Sequence, residues 1–398
     1  MWEMPVIRQA RMQSGNLWRI AFGVDVPAEA NGFDDAMDEY VTNYLFKAAA
    51  CDPDNPRIVR GFMPGYCWQG ENAPAQAVPG ARMGGDNPDN CYRFIGIGHG
   101  RRYRLTVKPV GTVPSDITFT LVGNWGTSVT IQTQEWAALD KQADGSAVIT
   151  IDDQPGNGNP NHLTTAPNVK FLFVRDSLND WATETPLALS IEVLERKGSG
   201  LTLEEKAARA AHRLVEEVPL YYWFIRIFSG RDKNHFNQPA RVLGLGGLRT
   251  QASAMGNLEL SPDQAMVVRI NPAGARYCSL TLHDWWFRSL DAHKAQTNLT
   301  SLMSTTDPDG WISFVVSHKD PGVANWIDTT GLRHTLALIR WQGIPDTVPD
   351  SDLRLTQKIV PFTELADHLP DGMARISSGE RAAQLASRQA AFARRTTA

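Results

Sequence analysis

The sequence predicts a mainly β protein with two related jelly-roll or β-sandwich modules, joined by a helical segment and flanked by N- and C-terminal helices. Three observations support this fold class. Short runs of β-branched and aromatic residues alternate with Gly, Pro, Asn and Asp turns, which is typical of antiparallel sandwiches. A long stretch of the first half recurs, in diverged form, in the second half. Helical apolar periodicity lies between the two copies.

The internal repeat is the most informative of these observations. Gly145 and Gly310 each precede a β run, and Arg175 and Arg340 each lie late in a β run; both pairs are 165 positions apart. This period is the size of a domain and is too long for a solenoid. We therefore expect two related β-modules, with any site where they meet. Upstream matches 174 positions apart are Pro88 with Pro262, Asp89 with Asp263, Gly100 with Gly274, and Tyr103 with Tyr277.

Composition shifts divide the chain into five segments. Thr202 and Glu205 form a capping-box pattern at the start of the connector. The connector's second helical stretch, PLYYWFIRIF, is apolar nearly all round, which predicts burial between the modules. The segments are 1–60 (helical region), 61–197 (first β-module), 198–239 (helical connector), 240–348 (second β-module) and 349–398 (tail with a helix).

Charge and cysteine usage exclude several protein classes. A net charge of −4 with mixed signs argues against a general nucleic-acid binder. The four cysteines include no CxxC pair, which favours buried free thiols. No window is apolar enough to span a membrane and no signal-peptide pattern begins the chain, so we expect a soluble cytoplasmic protein. The one basic run, which we interpret as a solvated helix face, contains Arg381, Arg388, Arg394 and Arg395.

The strand that ends in TLHDWW is the first of three polar clusters. His283 and Asp284 would supply a base, and Trp285 and Trp286 a stacking wall. The alternative is a surface histidine beside an aspartate that closes a turn. Because neighbours in a strand face opposite ways, one tryptophan of the pair should leave the core.

The segment VVSHKDPGVANWID is the second cluster. Strand alternation places His318 on an apolar face, where it is either a core histidine or a base at the rim of a site. Asp328, beyond Asn325 and Trp326, would cap the loop or enter the site. Together with Asp284, His318 and Asp320 would suit a divalent metal, although no HxH pair supports this alternative.

The third cluster is the loop GGDNPDNCYR, whose polar members are Asp86, Asn87, Asp89, Asn90 and Arg93. Asn and Asp favour turns by bonding their own backbone, but such a loop can also contact a ligand or cation.

The repeated arginines leave two interpretations open. Arg175 and Arg340 would either form equivalent architectural ion pairs or recognise an anion. Arg340 is the better candidate for a site because Trp341 beside it offers an aromatic surface.

The second module resembles the bacterial DUF1214 family, in its segments 277–284, 307–314, 325–328 and 336–341. The loop AsnProAspAsnCysTyr at 87–92 resembles one of the DUF1254 partner domain. The resemblance implies paired jelly-roll domains that are commonly oligomeric, and it implies no reaction. The chain departs from the pattern at His283, where the family tends to have Tyr, and at Asp328, where it tends to have Pro. Similar Trp-rich relatives lie near genes for steroid, terpenoid and aromatic catabolism, which favours such substrates.

We expect an enzyme of small-molecule catabolism that acts on a hydrophobic oxygenated substrate as a lyase, dehydratase or hydrolase, without an organic cofactor. The alternatives are a non-catalytic binder of a glycan or lipid-like ligand and an oligomeric assembly protein. His283 or His318 would move the proton, and Asp284 or Asp328 would orient it. Arg340 would stabilise negative charge. The predicted substrate contacts are Tyr277, Trp285, Trp286, Trp326, Asn325, Asp89 and Asn90.

Overall fold

The computed structural model describes residues 1–23, 32–65, 79–241 and 250–397. Over these residues the protein is mainly β, with two sandwiches, terminal helices and a helical segment between the sandwiches, which confirms the predicted fold class. The cysteines at 51, 91 and 278 are free and buried, as predicted. Cys67 lies outside the described residues.

The first sandwich contains strands in which apolar and polar residues alternate. In ArgTyrArgLeuThrValLys at 102–108, for example, Tyr103, Leu105 and Val107 are buried and the two arginines are exposed. The strands are β1 (Val59–Gly61), β2 (Asn90–Gly96), β3 (Arg102–Lys108), β4 (Asp116–Val122), β5 (Thr130–Glu135), β6 (Ala147–Asp152), β7 (His162–Thr164), β8 (Phe171–Ser177) and β9 (Ala188–Glu195). They form a five-stranded sheet, β1-β2-β8-β4-β5, and a four-stranded sheet, β7-β6-β3-β9.

The second sandwich repeats this topology. Its strands are β10 (His235–Phe236), β11 (Ala252–Glu259), β12 (Gln264–Ile270), β13 (Tyr277–His283), β14 (Asn298–Thr300), β15 (Ile312–Ser317), β16 (Trp326–Asp328), β17 (His334–Gln342) and β18 (Leu355–Pro361). The sheets are β10-β11-β17-β13-β14 and β16-β15-β12-β18. Each strand number is that of the first sandwich plus nine, so the two modules share one strand order.

The repeated arginines occupy equivalent positions. Arg175 on β8 lies between Tyr92 on β2 and Thr118 on β4. Arg340 on β17 lies between Ser253 on β11 and Ser279 on β13. Because β8 and β17 are the central strands of equivalent sheets, the 165-residue repeat reflects a structural duplication.

The upstream matches at a spacing of 174 do not correspond in the structure. Tyr103 lies on β3, whose counterpart is β12, whereas Tyr277 lies on β13, the counterpart of β4. Likewise Asp89 precedes β2 and Asp263 precedes β12. A Pro-Asp turn that leads into a strand therefore recurs at two different places in the fold, and the similarity there is local.

The second sandwich extends beyond the predicted boundary at 348. Strand β18 pairs with β12 over seven residues, from Leu355 to Pro361. Its alternation is weak, with burial concentrated at Leu355 and Val360, which explains why the pattern did not reveal it.

Helices pack at both ends and at the junction of the sandwiches. The capping box at Thr202 and Glu205 forms as predicted. The PLYYWFIRIF helix is buried along one face, through Tyr221, Ile225 and Phe228, whereas Trp223 on the opposite face is 44% exposed. The predicted burial therefore holds for one face of this helix and not for the opposite face. The helices are α1 (Pro5–Phe22), α2 (Phe33–Ala50), α3 (Leu203–Glu216), α4 (Val218–Ser229) and α5 (Ser378–Thr397).

Three of the four arginines of α5 hold this helix against the sandwiches, so the interpretation as a solvated face was wrong for these three, whereas Arg394 is exposed. Arg381, Arg388 and Arg395 are each buried. The guanidinium of Arg388 bonds the Ala292 carbonyl and stacks 4.0 Å from the centre of the Trp181 ring. A helix with few large apolar residues is thus docked by cation–π contacts and by hydrogen bonds to carbonyls.

A further apolar core forms between the helices and the five-stranded sheets. It includes Phe94 and Phe173 from the first sandwich and Leu338 from the second, with Trp286 nearby. Each five-stranded sheet is therefore covered on both faces. Among the described residues, no helix combines the length and the hydropathy needed to cross a membrane.

Candidate ligand site between the two sandwiches

A cavity of about 320 Å³ lies between the two five-stranded sheets, beside α4. Strand β8 contributes Phe173 and Arg175 to its wall, two residues apart as the period of a strand requires. Strand β17 contributes the equivalent Leu338 and Arg340, followed by Trp341 and Gln342. The same faces of the duplicated sheets therefore line the cavity. The main lining residues are Tyr92, Phe173, Arg175, Ser253, Met255, Leu338, Arg340, Gln342, Tyr221, Phe224, Phe228 and Asp86.

Two arginines enter this cavity without an acidic partner among the described residues. Arg175 donates from Nε to Thr118 Oγ1 at 3.1 Å and from Nη2 to Thr120 Oγ1 at 3.4 Å. Arg340 donates from Nη2 to the Gly85 carbonyl at 2.5 Å, and its buried Nη1 has no hydrogen-bond partner among the residues that the structure describes. The described part of the chain therefore does not contain the equivalent architectural ion pairs that were the alternative.

The electrostatics of the cavity are unfavourable without an anion. Burial lowers the pKa of Arg175. The nearby Tyr92 and Asp116 oppose this shift, and the positive charge of Arg340 reinforces it. Removing an arginine from water costs free energy unless its donors and its charge are satisfied. The hydroxyls of Thr118 and Thr120 satisfy some donors but supply no charge.

Asp86 is the titratable acid in the cavity wall. Its carboxylate accepts hydrogen bonds from the Ser289 backbone N–H at 2.9 Å and hydroxyl at 2.6 Å. Burial nevertheless raises the pKa of Asp86 to about 6, although these bonds and Arg82 oppose the shift. Asp86 would therefore exchange a proton close to neutral pH.

His283 supports the Asp86 loop and does not line the cavity. Its Nε2 lies 2.9 Å from the Asp86 carbonyl, at the buried end of β13. Burial lowers the pKa of His283 to about 3, so the ring is neutral at physiological pH. The neighbouring Asp284 forms an ion pair with Arg288 at 2.7 Å, and Arg288 also pairs with Glu39.

His318 and its neighbours lie at the other sheet of the second sandwich. His318 Nε2 lies 2.8 Å from the Leu260 carbonyl. Asp328 accepts from the Thr330 N–H at 2.7 Å, which fits the predicted loop cap, and burial raises its pKa while the charge of His318 opposes this. Asp320 pairs with Arg381 of α5.

This segment also contains Asn325 and Trp326, which have structural partners. Asn325 donates to the Thr305 and Ser313 carbonyls, and Trp326 donates to the Ser317 carbonyl. Neither residue lines the cavity.

The predicted site residues thus form separate groups, and Arg340 is the predicted catalytic residue in the cavity wall. Asp284 and Asp320 each bind a different arginine, so they are not joined with His318 as a metal centre. Within the described ranges, no group of three His, Cys, Asp or Glu side chains is arranged to hold a metal.

Tyr277 and Asp89 belong to a buried network that joins the modules. Tyr277 Oη donates to Asp89 Oδ2 at 2.6 Å, and Asp89 Oδ1 accepts from Trp181 at 2.8 Å and from Asn298 at 2.7 Å. Burial raises the pKa of Asp89. The adjacent Asn90 lines the cavity, and so this loop both makes turns and borders the site.

Trp285 and Trp286 are both buried, which overturns the expectation that one would leave the core. Strand β13 ends at His283, and the pair lies in the following turn, where strand alternation no longer applies. The Trp286 ring contacts Phe22 and Phe33.

The aromatic wall of the cavity was missed by sequence reasoning. Phe173 and Leu338 each lie two residues before a repeated arginine and therefore share its face. The two-residue period of a strand, applied to the residues around Arg175 and Arg340, would have identified them. The α4 contribution, from Tyr221, depends on a long-range contact with no local signal.

Comparisons with known proteins show the fold. The structure is similar to the crystal structure of an uncharacterized protein from Burkholderia cenocepacia, with a TM-score of 0.72 and 22% identity over 90% of this chain and 96% of that chain. The VPA0106 protein from Vibrio parahaemolyticus aligns with a TM-score of 0.43 and 12% identity over 82% and 99% of the respective chains. No protein-family model matches, so the resemblance to DUF1214 and DUF1254 stays a prediction. No curated protein matches either.

Proposed function

We propose that the protein binds a small amphipathic organic acid in the cavity between its sandwiches. The observation that carries this proposal is the pair of arginines, Arg175 and Arg340, that enter the cavity from equivalent positions without an acidic partner in the described chain. A carboxylate would satisfy the orphan Nη1 of Arg340 and reduce the repulsion between the two cations.

The rest of the wall favours an apolar body on this acid. Phe173, Leu338, Met255 and the α4 residues Phe224 and Phe228 surround the polar groups. A volume of about 320 Å³ lies at the small end of the range for small-molecule pockets. This chemistry is compatible with the steroid, terpenoid or aromatic acids expected from the sequence.

The binding test compares hydrophobic carboxylic acids with their methyl esters by isothermal titration calorimetry. We expect Arg340→Gln and Arg175→Gln to weaken acid binding about 10- to 100-fold, because each removes a charge-assisted contact. The matched control is Arg104→Gln, since Arg104 is an exposed arginine paired with Glu192. Equal binding of acid and ester, or unchanged affinity in both cavity variants, would refute the proposal.

A second candidate function, acid–base catalysis on this acid, is favoured by Asp86 in the same wall. Because His283 and His318 do not line the cavity, Asp86 takes the proton-transfer role in this version of a lyase, dehydratase or hydrolase. Asp86→Asn preserves size and should retain ligand binding while it abolishes turnover. A variant with full turnover of the ligand identified above would exclude Asp86 as the base.

A further inference from the structure

We propose that Lys47 is a carbonyl-binding amine, which forms a reversible Schiff base with a small aldehyde or ketone that enters from the cavity. The proposal rests on the proposed function only in using the same cavity as the route of entry. Nothing in the acid-binding role of the arginines requires this amine.

Lys47 is an unusual lysine because its amine is buried without a hydrogen bond. The residue lies on α2 with 0% exposure, and Nζ has no hydrogen-bond partner in the described structure. A charged ammonium has three donors to satisfy, and burying it unsatisfied is costly. The environment therefore shifts the protonation equilibrium of the amine toward the neutral, nucleophilic form.

Aromatic rings surround this amine. Nζ lies 4.7 Å from the ring centre of Tyr44 and 5.4 Å from those of Phe62 and Phe94. Burial in this cage lowers the pKa of Lys47 to about 8, although the charge of Glu217 opposes the shift. Desolvation of this kind is how proteins activate lysine as a nucleophile.

The cage is one ring away from the cavity. Phe62 contacts Nζ on one side and lines the cavity on the other. Its backbone has a φ of 54°, in the left-handed region that non-glycine residues seldom adopt. A change in the Phe62 side-chain rotamer would bring a carbonyl group in the cavity to the amine.

Formation of the Schiff base requires only the amine and the carbonyl compound and involves no change of oxidation state. The Nζ lone pair forms the C–N bond as the carbonyl π bond breaks, which gives a carbinolamine. In forming the carbinolamine, one proton moves from nitrogen to the former carbonyl oxygen. The second nitrogen proton then leaves with the hydroxyl as water, and the C=N bond of the imine remains. Tyr44 donates a hydrogen bond to Glu217 beside the cage, so a phenol–carboxylate pair is available to exchange these protons.

Reductive trapping tests this inference on the full-length protein. We use propanal with sodium cyanoborohydride at pH 7 and locate modified lysines by peptide mass spectrometry. A pKa of about 8 instead of 10.5 gives Lys47 a neutral fraction roughly 300-fold larger than that of an ordinary lysine. We expect Lys47 to react at least about tenfold faster than the exposed Lys108, after allowance for restricted access.

Three variants make the result specific. Lys47→Met should remove the fast adduct, and Phe62→Ala should accelerate it. Arg104→Gln, at an exposed position outside the cavity, should leave trapping unchanged. Because propanal is neutral, its trapping does not depend on acid binding by the arginines, so this inference and the acid-binding proposal can fail independently. The inference is overturned if native wild-type and Phe62→Ala proteins label exposed lysines such as Lys108 while Lys47 reacts only after denaturation.

Discussion

Replacement of Lys47 by methionine should stabilise the folded protein. Methionine has a similar length and an adaptable apolar side chain, so it can occupy the cage formed by Tyr44, Phe62 and Phe94. The substitution removes an amine that is fully buried and has no hydrogen-bond partner among the described residues.

The magnitude follows from the shift in pKa. The pKa of Lys47 falls from 10.5 to about 8 on folding, largely through burial. At about 1.36 kcal/mol per pKa unit, the folded state loses on the order of 3 kcal/mol at pH 7 relative to a lysine without this shift. Part of the gain on substitution is offset, because the buried Glu217 then loses a nearby positive charge.

The gain should depend on pH in a definite direction. Between pH 8 and 10.5 the unfolded chain keeps the Lys47 proton and the folded chain does not. The free energy of unfolding of the wild type, as far as it depends on Lys47, therefore rises with pH in this range. Below pH 8 the penalty is fully present. Above pH 10.5 both states are neutral, and the advantage of the Lys47→Met variant should disappear.

Thermal and urea unfolding at pH 7, 9 and 10.5 would measure this difference. We expect the variant to melt about 3 °C above the wild type at pH 7, if the chain unfolds as one unit. Lys108→Met at an exposed position is the control and should show no such trend. A destabilised Lys47→Met protein, or a gain that is constant with pH, would refute the reasoning.

Three further predictions concern the site and its supports. Affinity for an acidic ligand should fall about tenfold as the pH rises through 6, because the carboxyl of Asp86, whose pKa is raised to about 6, then becomes negatively charged like the ligand. In calorimetry, the affinity of the Asp86→Asn variant should not change over this pH range. Asp89→Asn should lower the free energy of unfolding by about 2 kcal/mol, since it weakens the bond from Tyr277; an unchanged urea midpoint would contradict this. Arg388→Met should loosen α5 from Trp181 and speed its removal in limited proteolysis, and equal cleavage rates would count against the docking role.

The sequence predicted the features that depend on local pattern. Two-residue alternation and turn residues identified strands such as β3, and the capping box located the start of α3. The repeat placed Arg175 and Arg340 in equivalent positions because both copies kept strand spacing around them.

The local sequence does not show which sheet a strand joins, because that depends on long-range pairing. For this reason the grouping of the candidate site residues could not be predicted. His283 ends β13 in a five-stranded sheet, whereas His318 follows β15 in a four-stranded sheet. The local sequence around the two histidines therefore could not show whether they lie in the same site. The docking of Arg388 on Trp181 joins residues more than 200 positions apart, which no local pattern reveals.

Duplication made the two walls of the cavity equivalent in position, but not in chemistry. Beside Arg175 the wall carries Tyr92 and Phe173, whose rings stack with centres 5.6 Å apart. At the equivalent positions beside Arg340 it carries Ser253 and Leu338. A flat apolar group gains more against stacked rings, whereas the buried Nη1 of Arg340, which has no hydrogen-bond partner in the described ranges, offers the better free donor. We therefore expect one orientation of the ligand, with its ring system on the first sandwich and its carboxylate toward the second, so Arg340→Gln should weaken binding more than Arg175→Gln.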